Sequence, residues 1–352
     1  MPQLDSLRAF AIGAVLVHHF LPVDKIIPTD FITLGLIGVR LFFVLSGFLI
    51  TGILLRARGQ EYALRRFYYR RILRIFPIYY LTLIIIFVVS ARLRNDAGWL
   101  ATYTTNFITP FRSLEPAGHF WTLAVEEQFY LVWPFLMLLV PARHLLKIIV
   151  GSVVLAVLFR FVTVRVFHEA LAAGVWTFGC LDSLGLGGLL AFFSHDARLS
   201  IHRERFLRWS IALGSLITVG LTFLYIRNVG TSLIAAFLCL GLSLIFMAII
   251  ARAADGMQGR MKLILEATPL IYIGRISYGL YVYHNFMPGI VQLFYRSTGD
   301  RRGTVLAAIA ATALTFLAAM VSWHLIEKPI SRLKQSFRDD GQEARLSSVE
   351  AQ

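Results

Sequence analysis

Apolar runs of about 18–25 residues recur from one end of this sequence to the other, each long enough to cross a bilayer as a helix. No other feature constrains the fold as strongly. Backbone in lipid must satisfy its own hydrogen bonds, and a helix does so within one segment. The composition agrees: 57% of the 352 residues are hydrophobic and 15% are charged, too little charge to coat a soluble domain of this length. The sequence therefore predicts an all-α polytopic membrane bundle of about ten helices, at roughly 6–22, 31–55, 76–92, 120–140, 146–164, 178–194, 209–226, 231–251, 267–292 and 304–326.

A formal charge of +14 would suggest nucleic acid in a soluble chain. In a membrane chain it reads as cytoplasmic loops facing anionic lipid, so no nucleic-acid partner is expected. With the N-terminus inside, the inner loops collect Arg56, Arg58, Arg65, Arg66, Arg70, Arg71 and Arg74, then Arg143, Lys147, Arg198, Arg203, Arg205, Arg208, Arg252, Arg260 and Lys262. The outer loops hold fewer: Lys25, Arg94, Arg112, Arg165, Arg227, Arg296, Arg301 and Arg302. This bias places both termini in the cytoplasm. The first apolar run carries Arg8, His18 and His19 and lacks a small-residue cleavage pattern, so it is expected to stay. Cys180 and Cys239 sit in apolar runs and support neither a disulfide framework nor a metal site. A membrane domain over 1–332 and a polar cytoplasmic tail over 333–352 are the expected divisions.

The stretch RRFYYRRILRIFPIYY, residues 65–80, interleaves arginines with aromatics at the inner interface. Most of it reads as an ordinary membrane anchor, with guanidiniums on headgroups and Tyr68 and Tyr69 in the aromatic belt. Arg71 and Arg74 stand three apart, share a helical face ahead of Pro77, and could clamp a phosphate bidentately. Charge alone leaves lipid and ligand both open.

Ionisable residues at membrane depth are functional candidates by default. In LDSLRAFAIGAVLVHHF, Asp5, Arg8 and His19 fall on one helical stripe, while His18 points about 100° away. If one histidine does chemistry, geometry favours His19; a histidine bonded to a neighbouring helix is the plainer alternative. In HFWTLAVEEQFYLVWP, residues His119, Thr122, Glu126 and Tyr130 share a face, and Glu127 turns a further ~100° away, towards a structural place or the rim. A carboxylate there could orient a histidine or accept its proton. Arg40, Arg160, Asp182, Arg275, His284 and His324 are further polar sites, some of them expected to pair and lower their burial cost. Asp182, in the glycine-rich LDSLGLGGLLA, reads first as close helix packing.

Taken together, LDSLRAFAIGAVLVHHF, GVRLFFVLSGFLIT, RRFYYRRILRIFPIYY, FWTLAVEEQFYLVWP, LDSLGLGGLLA, GRISYGLYVYH and the closing EKP resemble, in order and across all the expected spans, the integral-membrane acyltransferase-3 family, which includes O-antigen acetylases. The resemblance implies transfer of an acyl group, usually acetyl, from cytoplasmic acyl-CoA to a hydroxyl on an extracytoplasmic or lipid-linked glycan, in a multi-pass inner-membrane enzyme without a metal. It puts the family's catalytic histidine on His19, its R-x-x-R pair on Arg71 and Arg74 at the donor's phosphates, its W-S-L-x-x-E motif on Trp121 through Glu126, and its late membrane histidine on His284. Three positions depart from the pattern: Thr122 stands where serine is common, Arg40 where aspartate is frequent, and Cys180 where arginine is. The chain resembles the family's stand-alone form, with no soluble esterase-like domain after the last helix.

The expected mechanism docks CoA on Arg71 and Arg74, with Arg8 and Asp5 at the lower wall of the donor channel. His19, about 16 Å further along the first helix, deprotonates the acceptor or carries the acyl group, and Glu126 sets its tautomer, backed by Trp121, Thr122, Tyr130 and His284. A proton-coupled transporter is the rival from another class, since scattered intramembrane His, Glu, Asp and Arg also make a proton relay; against it, no internal repeat is visible. A polyprenyl-dependent glycosyltransferase is disfavoured by the short first outer loop, where Asp24 and Asp30 read as solvated charges. An acyltransferase acting on a macrolide-like small molecule also fits. Acceptor contact is expected from the outer loop at 93–119, through Trp99, Tyr103, Asn106, Phe107 and His119.

Overall fold

The computed structural model describes residues 1–21, 32–195, 197–294 and 301–332, with the side chains of 197–201, 293–294 and 301–304 outside the description. Lys25, Asp24, Asp30, Arg296 and the tail over 333–352 therefore lie outside the described residues, as do the side chains of Arg198, Arg301 and Arg302. Among the described residues every regular element is helical.

The first three helices are α1 (Pro2–Phe20), α2 (Leu34–Ala57) and α3 (Ala63–Val89). A compact loop follows, with α4 (Ala91–Arg94), α5 (Ala97–Ala101), α6 (Thr105–Ile108) and a 3₁₀ turn at Gly118–Phe120. Next come α7 (Trp121–Leu139), α8 (Ala142–Phe167), the short α9 (Ala170–Val175), α10 (Thr177–His195), α11 (Ala197–Ile226) and α12 (Thr231–Asp255). The chain continues through α13 (Gly259–Leu265), α14 (Thr268–Arg275), α15 (Ser277–Tyr283), a 3₁₀ turn at His284–Phe286, and α16 (Met287–Phe294). It closes with α17 (Arg301–Ser322), which runs into a π turn at Trp323–Glu327. Eight of the helical segments are long and apolar enough to cross a membrane. The fold is a polytopic helical bundle, and α1 and the broken run 268–294 pass through it as well.

Side-chain contacts give the directions. α2 and α10 run parallel, because Gly47 meets the backbone of Leu184 and Thr51 lies at Gly188. α1 runs opposite to α2, with Gly38 against Ala11 and Gly35 against the His18 ring. At Gly47, and again at Gly187 against Val44, an added Cβ would strike the facing backbone. Only glycine lets α2 and α10 approach so closely, the small-residue packing that drives helix association in lipid. The glycines around Asp182 thus do pack helices, as the sequence suggests.

Two expectations need correction. The third helix begins at Ala63, not near 76, so RRFYYRRILR is a helical extension towards the N-terminal end of the bundle, here termed the inner end after the charge bias. The expected helix over 267–292 is instead broken into α14, α15 and α16. Pro288 explains the second break: it has no N–H for an i−4 bond, and its ring clashes with the carbonyl of residue 284. The chain tightens there into a 3₁₀ turn that begins at His284. Ser277 Oγ donates to the Gly274 carbonyl at 2.8 Å beside the first break.

The inner end is tied by side chains to backbone. Gln3 donates to Met257 O at 3.0 Å and to Glu266 Oε1 at 2.9 Å, and Ser6 Oγ donates to Leu265 O at 2.6 Å. Arg58, expected to anchor on headgroups, instead donates to the carbonyls of Met137 and, at 2.9 Å, Val140. It caps the C-terminal end of α7, where helix carbonyls lack partners and a cation is favoured.

Candidate active site

Two cavities open between the helices. The inner one, about 230 Å³, is walled by Arg8, Ser46, Arg71, Arg74, Thr122, Glu126, Glu127, Tyr130 and Tyr278, among others. The outer one, about 920 Å³, is walled by His18, His19, Arg40, Glu115, His119, Trp121 and Arg160, among others. Val39 and Tyr281 belong to both walls. The cavities therefore share a wall formed by α2 and α15.

α1 supplies both. Asp5 and Arg8 form an ion pair at 2.7 Å one turn apart near its start, and Arg8 faces the inner cavity. His19, near the other end, keeps an accessible surface on the outer cavity. α3 brings Arg71 over the Tyr130 ring, 4.2 Å from its centroid, a cation–π contact that fixes the guanidinium plane. Arg74 sits deep among the helices yet retains accessible surface, because it faces the open cavity. Arg65, Arg66 and Arg70 are exposed on the extension, where anchors belong.

The stripe on α7 runs along both cavities. At its outer end His119 Nε2 lies 3.2 Å from Val282 O. One turn further in, Thr122 Oγ1 and the Tyr281 hydroxyl are 2.5 Å apart, and Tyr281 also donates to His119 O at 2.9 Å. These bonds stand at the wall that the two cavities share. At the inner end Ser46 Oγ donates to Glu126 Oε1 at 2.5 Å and lies 2.9 Å from the Tyr130 hydroxyl. Trp121 packs edge-on against Phe43 at 6.2 Å.

His284 is fully buried, its ring 4.9 Å from that of His19 and 4.7 Å from that of His119. Its Nδ1 lies 2.6 Å from Tyr281 O. A carbonyl only accepts, so Nδ1 carries the proton and Nε2 presents its lone pair. That Nε2 has no hydrogen-bond partner among the described residues.

The structure therefore divides the expected site. Arg8, Arg71, Arg74, Glu126 and Tyr130 come together at the inner cavity with Asp5 behind Arg8; His19, Trp121 and His284 gather at the outer one, and Thr122 stands between. Glu126 and His19 share no hydrogen bond: the carboxylate is taken by Ser46, while the rings nearest His19 are His284 and His18, the latter at 5.1 Å. Glu127 also lines the inner cavity, contrary to the structural or rim place expected for it. Sequence reasoning missed Ser46 and Tyr281. Ser46 is the lone hydroxyl in VRLFFVLSGFLI, and such a residue in an apolar run is a signal of its own.

The outer loop differs from expectation too. Tyr103 is buried and stacks on Tyr79 at 4.2 Å. Buried Asn106 joins Gln128 at 2.9 Å and Thr177 at 3.1 Å. Both are structural. The part that reaches the outer cavity is Thr109 through His119.

A second polar cluster stands behind the outer wall. Asp182 Oδ2 pairs with Arg160 at 2.7 Å, and Oδ1 accepts from Ser183 N at 2.8 Å. All three nitrogens of Arg160 are engaged, since it donates also to Ala236 O and Gly179 O. Arg40 donates to Gly174 O at 3.0 Å, and its Nη1 lies 3.9 Å from Asp182 Oδ1.

The fold is a helical membrane bundle with a basic inner cavity set back to back with a histidine-bearing outer one. The acyltransferase-domain family model matches residues 1–324, and the chain belongs to that family. It is 29% identical over 360 residues to the peptidoglycan O-acetyltransferase OatA of Listeria monocytogenes, covering 94% of this chain and 56% of that protein. It is 29% identical over 375 residues to the putative peptidoglycan O-acetyltransferase YrhL of Bacillus subtilis, covering 96% and 56%, and 28% identical over 360 residues to a putative O-acetyltransferase of Staphylococcus aureus, covering 94% and 57%. The chain thus spans a little over half the length of these relatives. No solved structure matches it.

Proposed function

We propose that this chain is a membrane O-acyltransferase that moves an acyl group, acetyl in the first instance, from cytoplasmic acyl-CoA to a hydroxyl of an envelope glycan or its lipid-linked precursor. The observation that carries the reading is that the two cavities lie back to back across a single shared wall, Val39 and Tyr281. A donor whose phosphates rest on Arg71 and Arg74 can extend its thioester towards that wall from one side while a hydroxyl approaches His19 from the other. Glycan as the acceptor class is supported by the names of the relatives.

In this mechanism His19 takes the acceptor proton, the freed oxygen attacks the thioester carbonyl, and the departing thiolate receives the proton back from the imidazolium. A two-step route through acyl-His19 uses the same atoms. His284, whose ring lies 4.9 Å from that of His19, would fix the His19 tautomer by accepting its N–H on Nε2 when the two rings close to hydrogen-bond distance. Glu126, held by Ser46, serves on the donor side: it sets the charge opposite Arg71 and Arg74.

The test is transfer from radiolabelled acetyl-CoA in membranes, wild type beside His19→Ala, with purified envelope glycans as acceptors. Base-labile label on glycan that falls ~10²–10⁴-fold in the variant, the worth of a positioned general base, is the expected result. Label that persists undiminished overturns the role of His19. Absence of CoA binding altogether overturns the reaction.

A further inference from the structure

We propose that the outer cavity contains an oxyanion site centred on Arg40, which holds a phosphate or carboxylate of the acyl acceptor. Arg40 is 1% exposed and lines the outer cavity that His19 also lines. Among the described residues its Nε and Nη1, both buried, have no hydrogen-bond partner. The one carboxylate paired with it among the described residues, Asp182, is already engaged by Arg160 and Ser183, which leaves the Arg40 contact at 3.9 Å, beyond hydrogen-bond reach. Two buried arginines therefore share one aspartate, and the excess positive charge lies with the arginine whose donors are unused.

A buried charge without a full complement of partners is destabilising, and unpaired guanidinium N–H groups are charge-assisted donors for the oxygens of a phosphate or carboxylate. Cys180 and Cys239, which flank the cluster, are buried free thiols and offer no counter-charge. The remaining hydrogen bond of Arg40, to Gly174 O from the α9–α10 connection, holds the guanidinium in place. The cavity, at about 920 Å³, has room for a sugar beside the anion. This geometry selects an acceptor that carries negative charge near the hydroxyl to be acylated, either a sugar phosphate of a lipid-linked unit or an acidic sugar. Its assignment to the acceptor rests on the proposed reaction; the anion site itself does not.

The experiment uses the full chain purified in detergent and needs no acyl donor, so it succeeds or fails independently of transfer. Thermal unfolding is followed while glucose 1-phosphate, glucuronate or neutral glucose is added at fixed ionic strength, in wild type, Arg40→Gln, Arg40→Lys and Arg71→Gln. At least one anionic sugar is expected to raise the midpoint at a concentration ~10-fold or more below that needed for glucose, the scale of a charge-assisted bond. Arg40→Gln abolishes that preference and Arg71→Gln, at the inner cavity, retains it. Preference for the phosphate points to a lipid-linked sugar, and preference for the uronate to an acidic glycan. Should Arg40→Gln fail to fold, Arg40→Lys keeps the charge, loses the fork and weakens the preference severalfold. Equal action of all three sugars on wild type overturns the proposal. So does a preference that survives the Arg40 variants, or one lost with Arg71→Gln alone.

Discussion

The inner and outer cavities are built on opposite plans. The inner one is small and closely braced: Arg8 is paired with Asp5, Arg71 lies flat on Tyr130, and Glu126 and Tyr130 are joined through Ser46. The outer one is four times larger, and its lining residues include polar atoms without hydrogen-bond partners among the described residues, Nδ1 of His119 and two nitrogens of Arg40. Braced charges suit a ligand that is always the same, such as the phosphates of a cofactor-like donor. Unpartnered polar groups in a roomy cavity suit a site completed by its substrate, where leaving a buried polar group unsatisfied costs ~1–3 kcal/mol until the ligand arrives. Under the proposed reaction, the difference assigns specificity for the acceptor to the outer wall.

That contrast can be broken by mutation. The largest effect is expected from Arg74→Gln, which removes the cation with open surface on the inner cavity. Loss of a charge-assisted bond worth ~1.5–3 kcal/mol corresponds to a ~10–100-fold higher KM for acyl-CoA, with acceptor KM unchanged. Initial-rate kinetics with each substrate varied in turn will show the split, and a rise in acceptor KM instead would place Arg74 on the wrong substrate. Arg71→Lys is a sharper probe of the same wall, because it retains charge but loses the flat ring contact. Donor binding untouched by that change would return Arg71 to a headgroup role.

A smaller effect is expected from Ser46→Ala. Glu126 then loses its hydroxyl donor, for a cost of ~1–3 kcal/mol, and the braced plan of the inner cavity loosens. A lower unfolding midpoint together with weaker acyl-CoA binding is the expected result by thermal unfolding and equilibrium binding; normal values for both would mean that the brace carries no energy. The smallest is Arg58→Ala, far from either cavity. It removes the cap on α7 and lowers stability by ~1 kcal/mol, with kinetic constants unchanged. A changed donor KM in that variant would show that the end of α7 is coupled to the inner cavity.

Much of this was legible in the sequence. Hydrophobic run length fixes the spans, and helical periodicity correctly gathers His119, Thr122, Glu126 and Tyr130 on a face that follows the cavities. The pairing of Asp5 with Arg8, and the close packing around Asp182, also follow from local spacing. The failures share a cause. Periodicity states which side of a helix a residue faces, but not the depth at which it meets a neighbour. His19 and Glu126 looked like partners because each lies on an inward face. They do not bond, because one stands near the outer end of α1 and the other a turn and a half into α7, where Ser46 of α2 reaches it first.

By itself, then, the sequence determined the class of fold and the inward faces, because lipid enforces helices and a helix repeats its faces every 3.6 residues. Only the tertiary structure decided that Arg58 caps a helix, that Pro288 sets His284 at a break beside His19, and that Arg40 keeps donors to spare. Each of those depends on contacts between segments far apart in the chain, where packing and backbone geometry choose partners that no local pattern encodes.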